Sequence, residues 1–268
     1  MPNLGIPPVW FLGVAFTPLE LDTVVRTVTA RSAALPFVYI CTPNAQHVVI
    51  YHREAAALRS AHDSAWMRTC DSRVLSILAR WLFGKQLPVA TGSDLAARLF
   101  ETVVKPDDPI TIIGVSNDDV VRLCQRYGLR RVAHHEPPMG FIDQPQAVSA
   151  CVRFVQNHPA RFVFICCGFP RSELLALAIE KTGGATGIAL CVGSAILFLT
   201  GSVRRAPRLW QYLGVEWLYR IWQEPHRLLR RFWHQQLPVL GLVLRARLRP
   251  TLHGPPSEPM DRVGHRDP

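Results

Sequence analysis

The chain has 268 residues, 49% of them hydrophobic and 19% charged, and carries a formal net charge of +10. This length and apolar content exclude an intrinsically disordered polypeptide and allow one large domain with a smaller appendage. The seven cysteines form no C-x-x-C pair, and several lie in apolar runs, so they indicate reduced core residues of a cytosolic protein rather than a disulfide framework or a zinc site.

Apolar strand-like runs and helical segments alternate along the first two thirds of the chain. This alternation predicts an α/β fold with a mainly parallel sheet and helices on both faces, and it begins as a β-α-β unit at the N-terminus. Asn44 is predicted to cap the second helix. Strands are predicted at residues 9–16, 37–42, 87–91, 110–114, 161–167 and 187–192, and helices at 19–32, 45–62, 74–83, 94–103, 118–127 and 172–182.

Residues 182–203 form a run without charged side chains that approaches the length of a membrane-spanning helix. Five glycines interrupt the run, at 183, 184, 187, 193 and 201. A buried strand, a loop and a short core segment fit this pattern better than a spanning helix. The N-terminus has no basic region followed by a long apolar stretch, so no signal peptide is expected.

The composition changes after Gly201. Residues 203–249 contain ten arginines and no lysine, against two glutamates, and also four of the seven tryptophans. Two helices are predicted there, at 208–220 and 227–234, followed by an apolar stretch. We therefore divide the chain into a catalytic domain (1–202), a basic aromatic helical appendage (203–249) and a tail (250–268) whose Pro, Gly and charge content predicts disorder.

Basic and aromatic side chains together suit either nucleic acid or an anionic membrane. The arginines of the appendage alternate with Trp and Leu at helical spacing, and the apolar residues 237–244 follow them. This pattern favours a membrane interface. A nucleic-acid-binding protein that uses the same segment remains the main alternative.

Several polar groups stand between a predicted strand and the next helix, where open parallel sheets bind ligands. Each of them, taken singly, is equally compatible with an ordinary helix cap or turn. The sequence contains no Walker loop, no G-x-G-x-x-G, no D-x-D and no His/Cys spacing for zinc, so neither a metal nor a cofactor is predicted. The candidates are Thr42-Pro43-Asn44, Asp71, Thr91-Gly92-Ser93-Asp94-Leu95 and Gly168-Phe169-Pro170-Arg171-Ser172-Glu173. The arginine segment that starts at Arg204-Arg205-Ala206-Pro207 is a fifth candidate.

Taken in order, these segments resemble the WecG/TagA/CpsF family of glycosyltransferases over residues 9–233. The block E-W-L-Y-R at 216–220, followed by Glu224-Pro225-His226-Arg227-Leu228, carries the most specific part of the likeness. The other matching residues are Thr42-Pro43-Asn44-Ala45-Gln46-His47, Asp71, Thr91-Gly92-Ser93-Asp94-Leu95, Pro137-Pro138-Met139-Gly140-Phe141, Gly168 to Glu173, Val192-Gly193 and Arg205-Ala206-Pro207.

The resemblance implies a Rossmann-like fold and an inverting, metal-independent transfer from a UDP-sugar to a polyprenyl-diphosphate-linked sugar. It implies a cytoplasmic protein, peripheral on the inner face of the bacterial membrane, and leaves a homo-oligomer open. By resemblance, Asp71 is the catalytic base, with Thr42 beside it. The substrate-binding residues implied are Asn44, Thr91, Gly92, Ser93, Asp94, Pro170, Glu173, Arg220, Arg227 and Arg230.

The chain departs from the family pattern at four places. Ser172 stands where the family usually has Gln, Val89 where it has Arg, and Ile196-Leu197 where Phe-Asp is common. The usual D-G at the base is Asp71-Ser72 here. These departures keep a second alternative open, a catalytically inactive scaffold in a polysaccharide assembly complex.

Overall fold

The computed structural model describes residues 4–53, 56–207 and 237–248, together with residues 210, 218, 219, 222, 229, 233 and 234. The predicted appendage helices and the tail from 250 onwards therefore lie almost wholly outside the described residues. Every predicted site residue up to Glu173 lies within them.

A six-stranded, entirely parallel sheet forms the centre of the protein, in the order β4-β3-β8-β7-β5-β6. The four inner strands are buried along their whole length, as expected when helices cover both faces of a parallel sheet. The strands are β3 (Val38–Cys41), β4 (Met67–Arg68), β5 (Ile110–Ile113), β6 (Val132–His135), β7 (Phe162–Ile165) and β8 (Ile188–Cys191).

Successive strand residues point to opposite faces and build two separate cores. Val38 and Ile40 of β3 enter one core, whereas Tyr39 and Cys41 enter the other. Helices α1, α5, α6 and α9 cover the first core, and α3, α7 and α8 cover the second. The helices are α1 (Leu21–Ala30), α2 (Ala45–Arg53), α3 (Ala56–Ser64), α4 (Arg73–Phe83), α5 (Gly92–Thr102), α6 (Asn117–Tyr127), α7 (Pro145–Asn157), α8 (Arg171–Thr182) and α9 (Ala195–Leu199).

The predicted α/β architecture with helices on both faces is confirmed, but the first strand was predicted wrongly. Residues 9–16 form a hairpin of two short antiparallel strands, β1 (Val9–Phe11) and β2 (Val14–Phe16), outside the main sheet. Leu12 and Gly13 both have positive φ, 49° and 70°, and so make the tight two-residue turn that suits such hairpins. A continuous apolar run concealed this turn, because Leu12 carries no turn signal.

Three further elements differ from the sequence-based expectations. Residues 87–91 make only an isolated bridge, Cys70 to Val89, instead of a strand. The sequence reading missed β6, an edge strand with half-buried residues, and it missed α7. Edge strands alternate less clearly in hydrophobicity, since solvent accepts polar side chains on their free side.

A third apolar cluster lies beside the sheet and unites the two ends of the chain. The hairpin, α2 and α4 build it with a C-terminal helix, α10 (Pro238–Leu248), which contributes Val239, Val243 and Ala246.

The uncharged run at 182–203 forms β8, a loop and α9, as predicted. Among the described residues, no helix combines the length and hydropathy that crossing a bilayer requires.

Candidate functional site

The loops that follow β3 and β4 meet at the carboxyl edge of the sheet. Asp71 donates its backbone N–H to the carbonyl oxygen of Pro43 at 2.9 Å. Asp71 is half-buried, and Ser72 after it caps α4 by accepting from the Leu75 N–H. The structure therefore brings Asp71 next to the Thr42-Pro43-Asn44 loop, although α2, α3 and β4 lie between them in sequence.

Thr42 stands where three elements converge. Its hydroxyl donates to the Cys191 carbonyl oxygen at the end of β8, at 3.3 Å. A Cβ on Gly92, the first residue of α5, would lie 3.0 Å from the Thr42 Oγ1 and 3.4 Å from the Val192 Cα. Gly92 thus allows the start of α5 to approach the ends of β3 and β8 more closely than any other residue would.

The N-terminus of α5 forms one wall of this corner. Thr91 caps the helix by accepting from the Asp94 N–H at 3.0 Å, and its hydroxyl donates to the Asp94 carboxylate at 2.8 Å. The other Asp94 oxygen pairs with the Arg205 guanidinium at 2.7 Å. Ser93 lies half-buried in the same turn. Helix N-termini present free N–H groups to anions, so this corner suits a phosphate.

Arg205 belongs to the arginine segment that the sequence made a candidate, but it was not assigned a binding role there. It belongs to the Arg205-Ala206-Pro207 block, and Ala206 beside it is buried. The Arg205 side chain is 23% exposed, and its Nε is buried without a hydrogen-bond partner among the described residues. The Arg205-Ala206-Pro207 block is visible in the sequence. Its pairing with Asp94 is not, because the two positions lie more than one hundred residues apart.

Pro170 and Glu173 lie at the same edge of the sheet, in the loop after β7 and the first turn of α8. Glu173 is only 2% exposed, and its Oε1 faces His47 Nε2 at 3.5 Å. The Phe169 ring packs against the His47 ring with centroids 3.8 Å apart. Glu173 therefore packs against His47 of α2 in the interior, behind the candidate site. Pro170 is half-buried in the preceding loop.

His47 connects this buried carboxylate with Asn44. Its Nδ1 lies 3.0 Å from the Asn44 side-chain oxygen, which also accepts from the Gln46 N–H at 3.0 Å. Asn44 acts as the predicted start of α2, and it is half-buried at the surface of the corner. The cap interpretation and a ligand-binding role are thus compatible, because the described cap contact uses only the Asn44 side-chain oxygen.

The described residues place Thr42, Asn44, Asp71, Thr91, Gly92, Ser93 and Asp94 around one corner of the sheet edge. Arg220, Arg227 and Arg230 lie outside the described residues.

His62 of α3 is a buried titratable group behind the candidate site. It is 1% exposed, and neither ring nitrogen has a hydrogen-bond partner among the described residues. Burial, assisted by the nearby His47 and Arg68, lowers the pKa of His62 from 6.5 to about 3. Between about pH 3 and pH 6.5 the folded protein therefore keeps His62 neutral, whereas the unfolded chain protonates it.

We expect this histidine to make the protein acid-sensitive. Below pH 6.5 the unfolded chain binds a proton that the folded chain does not, so the free energy of unfolding falls as pH falls towards 3. The loss between pH 7 and pH 5 from this one group is about 2 kcal/mol. Urea unfolding of wild type and His62→Phe at both pH values measures it.

The exposed His158 provides the control for this measurement. The His158→Phe variant should keep the full pH dependence, whereas His62→Phe should lose about 2 kcal/mol of it. An identical decrease in all three proteins would contradict the assignment to His62.

The sequence profile of the Glycosyl transferase WecG/TagA/CpsF family matches residues 9–253 of this chain. The match spans the sheet, every loop of the candidate site and the arginine-rich segment up to α10. All of the residues predicted for the site fall within it.

Proposed function

Because the chain belongs to the WecG/TagA/CpsF family of glycosyltransferases, we propose that it moves a sugar from a UDP-sugar to a sugar on a polyprenyl diphosphate, with inversion and without a metal. The observation that carries this proposal is the corner at the sheet edge. The backbone N–H of Asp71 bonds there to Pro43 of the Thr42 loop, and the N-terminus of α5 lies against Thr42.

Asp71 is the proposed general base. An acceptor hydroxyl must lose a proton as it attacks the anomeric carbon, and a carboxylate within hydrogen-bond reach takes that proton. The attack comes from the face opposite the departing UDP, so a single displacement inverts the anomeric centre. Thr42 and Asn44 are proposed to hold sugar hydroxyls beside the reacting carbon.

The departing UDP gathers negative charge on its diphosphate. The N-terminus of α5, at Gly92 and Ser93, offers backbone N–H groups, and Arg205 offers a guanidinium held by Asp94. Fixed donors of this kind stabilise a leaving group without reorganisation, which is the work that a metal does in D-x-D enzymes. The proposal assigns Arg220, Arg227 and Arg230 to the diphosphate of the acceptor lipid.

A membrane location follows from the acceptor, and α10 supplies a surface for it. One side of α10 packs on the third apolar cluster, whereas Leu240, Leu244 and Leu248 on another side are 51%, 64% and 76% exposed. Arg245 and Arg247 accompany this apolar stripe. An exposed apolar stripe beside arginines is suited to the headgroup region of an anionic bilayer.

We expect replacement of Leu240, Leu244 and Leu248 by glutamine to lower the partition coefficient for anionic vesicles, measured by co-sedimentation, by about tenfold or more. Each leucine buried in the bilayer contributes roughly 1.5–3 kcal/mol to membrane binding. The fold should persist because these side chains already face solvent. Leu35→Gln, at another exposed leucine, is the matched control. Equal vesicle binding by the triple variant and wild type would contradict a membrane role for α10.

The function itself is tested by incubating the purified protein with a panel of UDP-sugars and a short polyprenyl-diphosphate-sugar acceptor. Transfer of one sugar with release of UDP supports the proposal, and the anomeric configuration of the product tests inversion. Absence of transfer from every donor, with a folded protein, would favour the inactive scaffold. A DNA shift assay beside vesicle flotation tests the nucleic-acid alternative.

A further inference from the structure

Two cysteines and a glutamate from distant parts of the chain meet inside the protein. Cys41 ends β3, Cys191 ends the neighbouring β8, and Glu173 lies in the first turn of α8. All three belong to the side of the sheet covered by α8, and they are 0%, 3% and 2% exposed. Their two sulfur atoms and one carboxylate oxygen lie within 4.8 Å of one another.

The Glu173 carboxylate is incompletely satisfied in this position. Its Oε1 faces His47, but Oε2 is buried without a hydrogen-bond partner among the described residues. A buried carboxylate oxygen without a partner costs free energy, and a cation removes that cost. The two sulfur atoms beside it show which kind of cation the donors favour, since thiolates select thiophilic metals.

We propose that Cys41, Cys191 and Glu173 form a buried binding site for a thiophilic divalent cation of the zinc class. Tetrahedral zinc with bonds of about 2.0–2.3 Å separates its ligands by about 3.3–3.8 Å, so no two of the three donors need to close by more than about 1.5 Å. Binding releases the two thiol protons, and a water molecule completes the four positions. Spacing in sequence gives no sign of this site, because its ligands come from three separate elements.

His47 is the outer partner of the proposed site. Carboxylates that bind metal are usually held by a further hydrogen bond, and His47 Nε2 is placed to donate one to Glu173. The opposite ring nitrogen, Nδ1, then accepts from the Asn44 backbone N–H at 3.3 Å. The cation would therefore stiffen the base of the Thr42-Pro43-Asn44 loop from inside the core, away from the substrates. The proposal does not depend on the glycosyl transfer.

Binding of cobalt(II) to the full-length protein tests the site. A cobalt ion bound to thiolates has a charge-transfer absorption that a cobalt ion bound only to oxygen and nitrogen does not have. Wild type, freed of metal by unfolding and refolding in chelator, should bind one cobalt ion with this absorption, and zinc should displace it. Cys41→Ser and Cys191→Ser should each lose about half of the absorption. Cys124→Ser, at a thiol on the opposite side of the sheet, should keep all of it.

His47→Ala separates an outer partner from a ligand. Loss of an outer partner weakens metal binding by roughly 10–100-fold, but leaves the thiolate absorption at saturation unchanged. Wild type that is folded yet shows no thiolate–cobalt absorption would overturn the proposal, whatever the variants do. So would an absorption that persists undiminished in both Cys41→Ser and Cys191→Ser, since the ion would then lie elsewhere.

Discussion

Replacement of Asp71 by asparagine is expected to lower kcat by roughly 10²–10⁴-fold, because the amide accepts no proton from the acceptor hydroxyl. The fold should be retained, since the backbone N–H of residue 71, and not its carboxylate, makes the bond to the Pro43 carbonyl. Steady-state kinetics with the active UDP-sugar and a lipid acceptor measure the change. The KM for the donor should change little, because the base acts on the acceptor.

Asp22→Asn is the matched control for this variant. Asp22 lies on α1 in a surface ion pair with Arg98, with its side chain 73% exposed. A surface pair of this kind contributes little to stability, so the control should keep normal turnover. If Asp71→Asn also kept near-normal turnover, Asp71 would not be the base, and the acceptor would have to be activated by another group.

Replacement of Arg205 by glutamine is expected to lower kcat by about 10²-fold, the usual effect of removing one donor from a developing anion. Arg205 pairs with Asp94 at the N-terminus of α5, where the diphosphate of UDP is proposed to lie. Arg205→Lys should recover only part of the loss, since an ammonium group lacks the paired N–H groups of guanidinium. Single-turnover kinetics with a saturating donor separate this effect from weaker binding.

Two further variants make the Arg205 experiment decisive. Asp94→Asn should have a smaller effect than Arg205→Gln, because Asp94 orients the guanidinium and carries none of the positive charge. Arg130→Gln, in an exposed pair with Asp107, should behave as wild type. Equal turnover in Arg205→Gln and Arg130→Gln would show that Arg205 serves only to anchor the connection after α9.

Two sets of contacts cross the predicted boundary between the domain and the appendage at residue 202. A division at residue 202 would remove Arg205 from Asp94 and would uncover the third apolar cluster, which α10 covers with Val239, Val243 and Ala246. Exposing such a cluster costs several kcal/mol at about 25 cal/mol per Å². Point substitutions are therefore better tests of the appendage than truncation.

The sequence by itself determined the α/β class, because buried parallel strands are uniform apolar runs and their helices carry caps such as Thr91 and Ser72. It also determined the order of the loops at the carboxyl edge, since those polar groups follow their strands directly. The hairpin turn at Leu12-Gly13 escaped it, because a positive φ at leucine leaves no compositional trace.

Only the tertiary structure decided which of these groups meet. The Asp94–Arg205 pair and the Cys41–Cys191–Glu173 cluster join residues whose separation in sequence carries no periodic signal. Contacts of this kind depend on strand order, and the order β4-β3-β8-β7-β5-β6 places β3 beside β8 although some 150 residues separate them. Glu173 illustrates the result. The resemblance implied a substrate contact for it, which stays a prediction, and only the structure showed that its buried carboxylate faces His47.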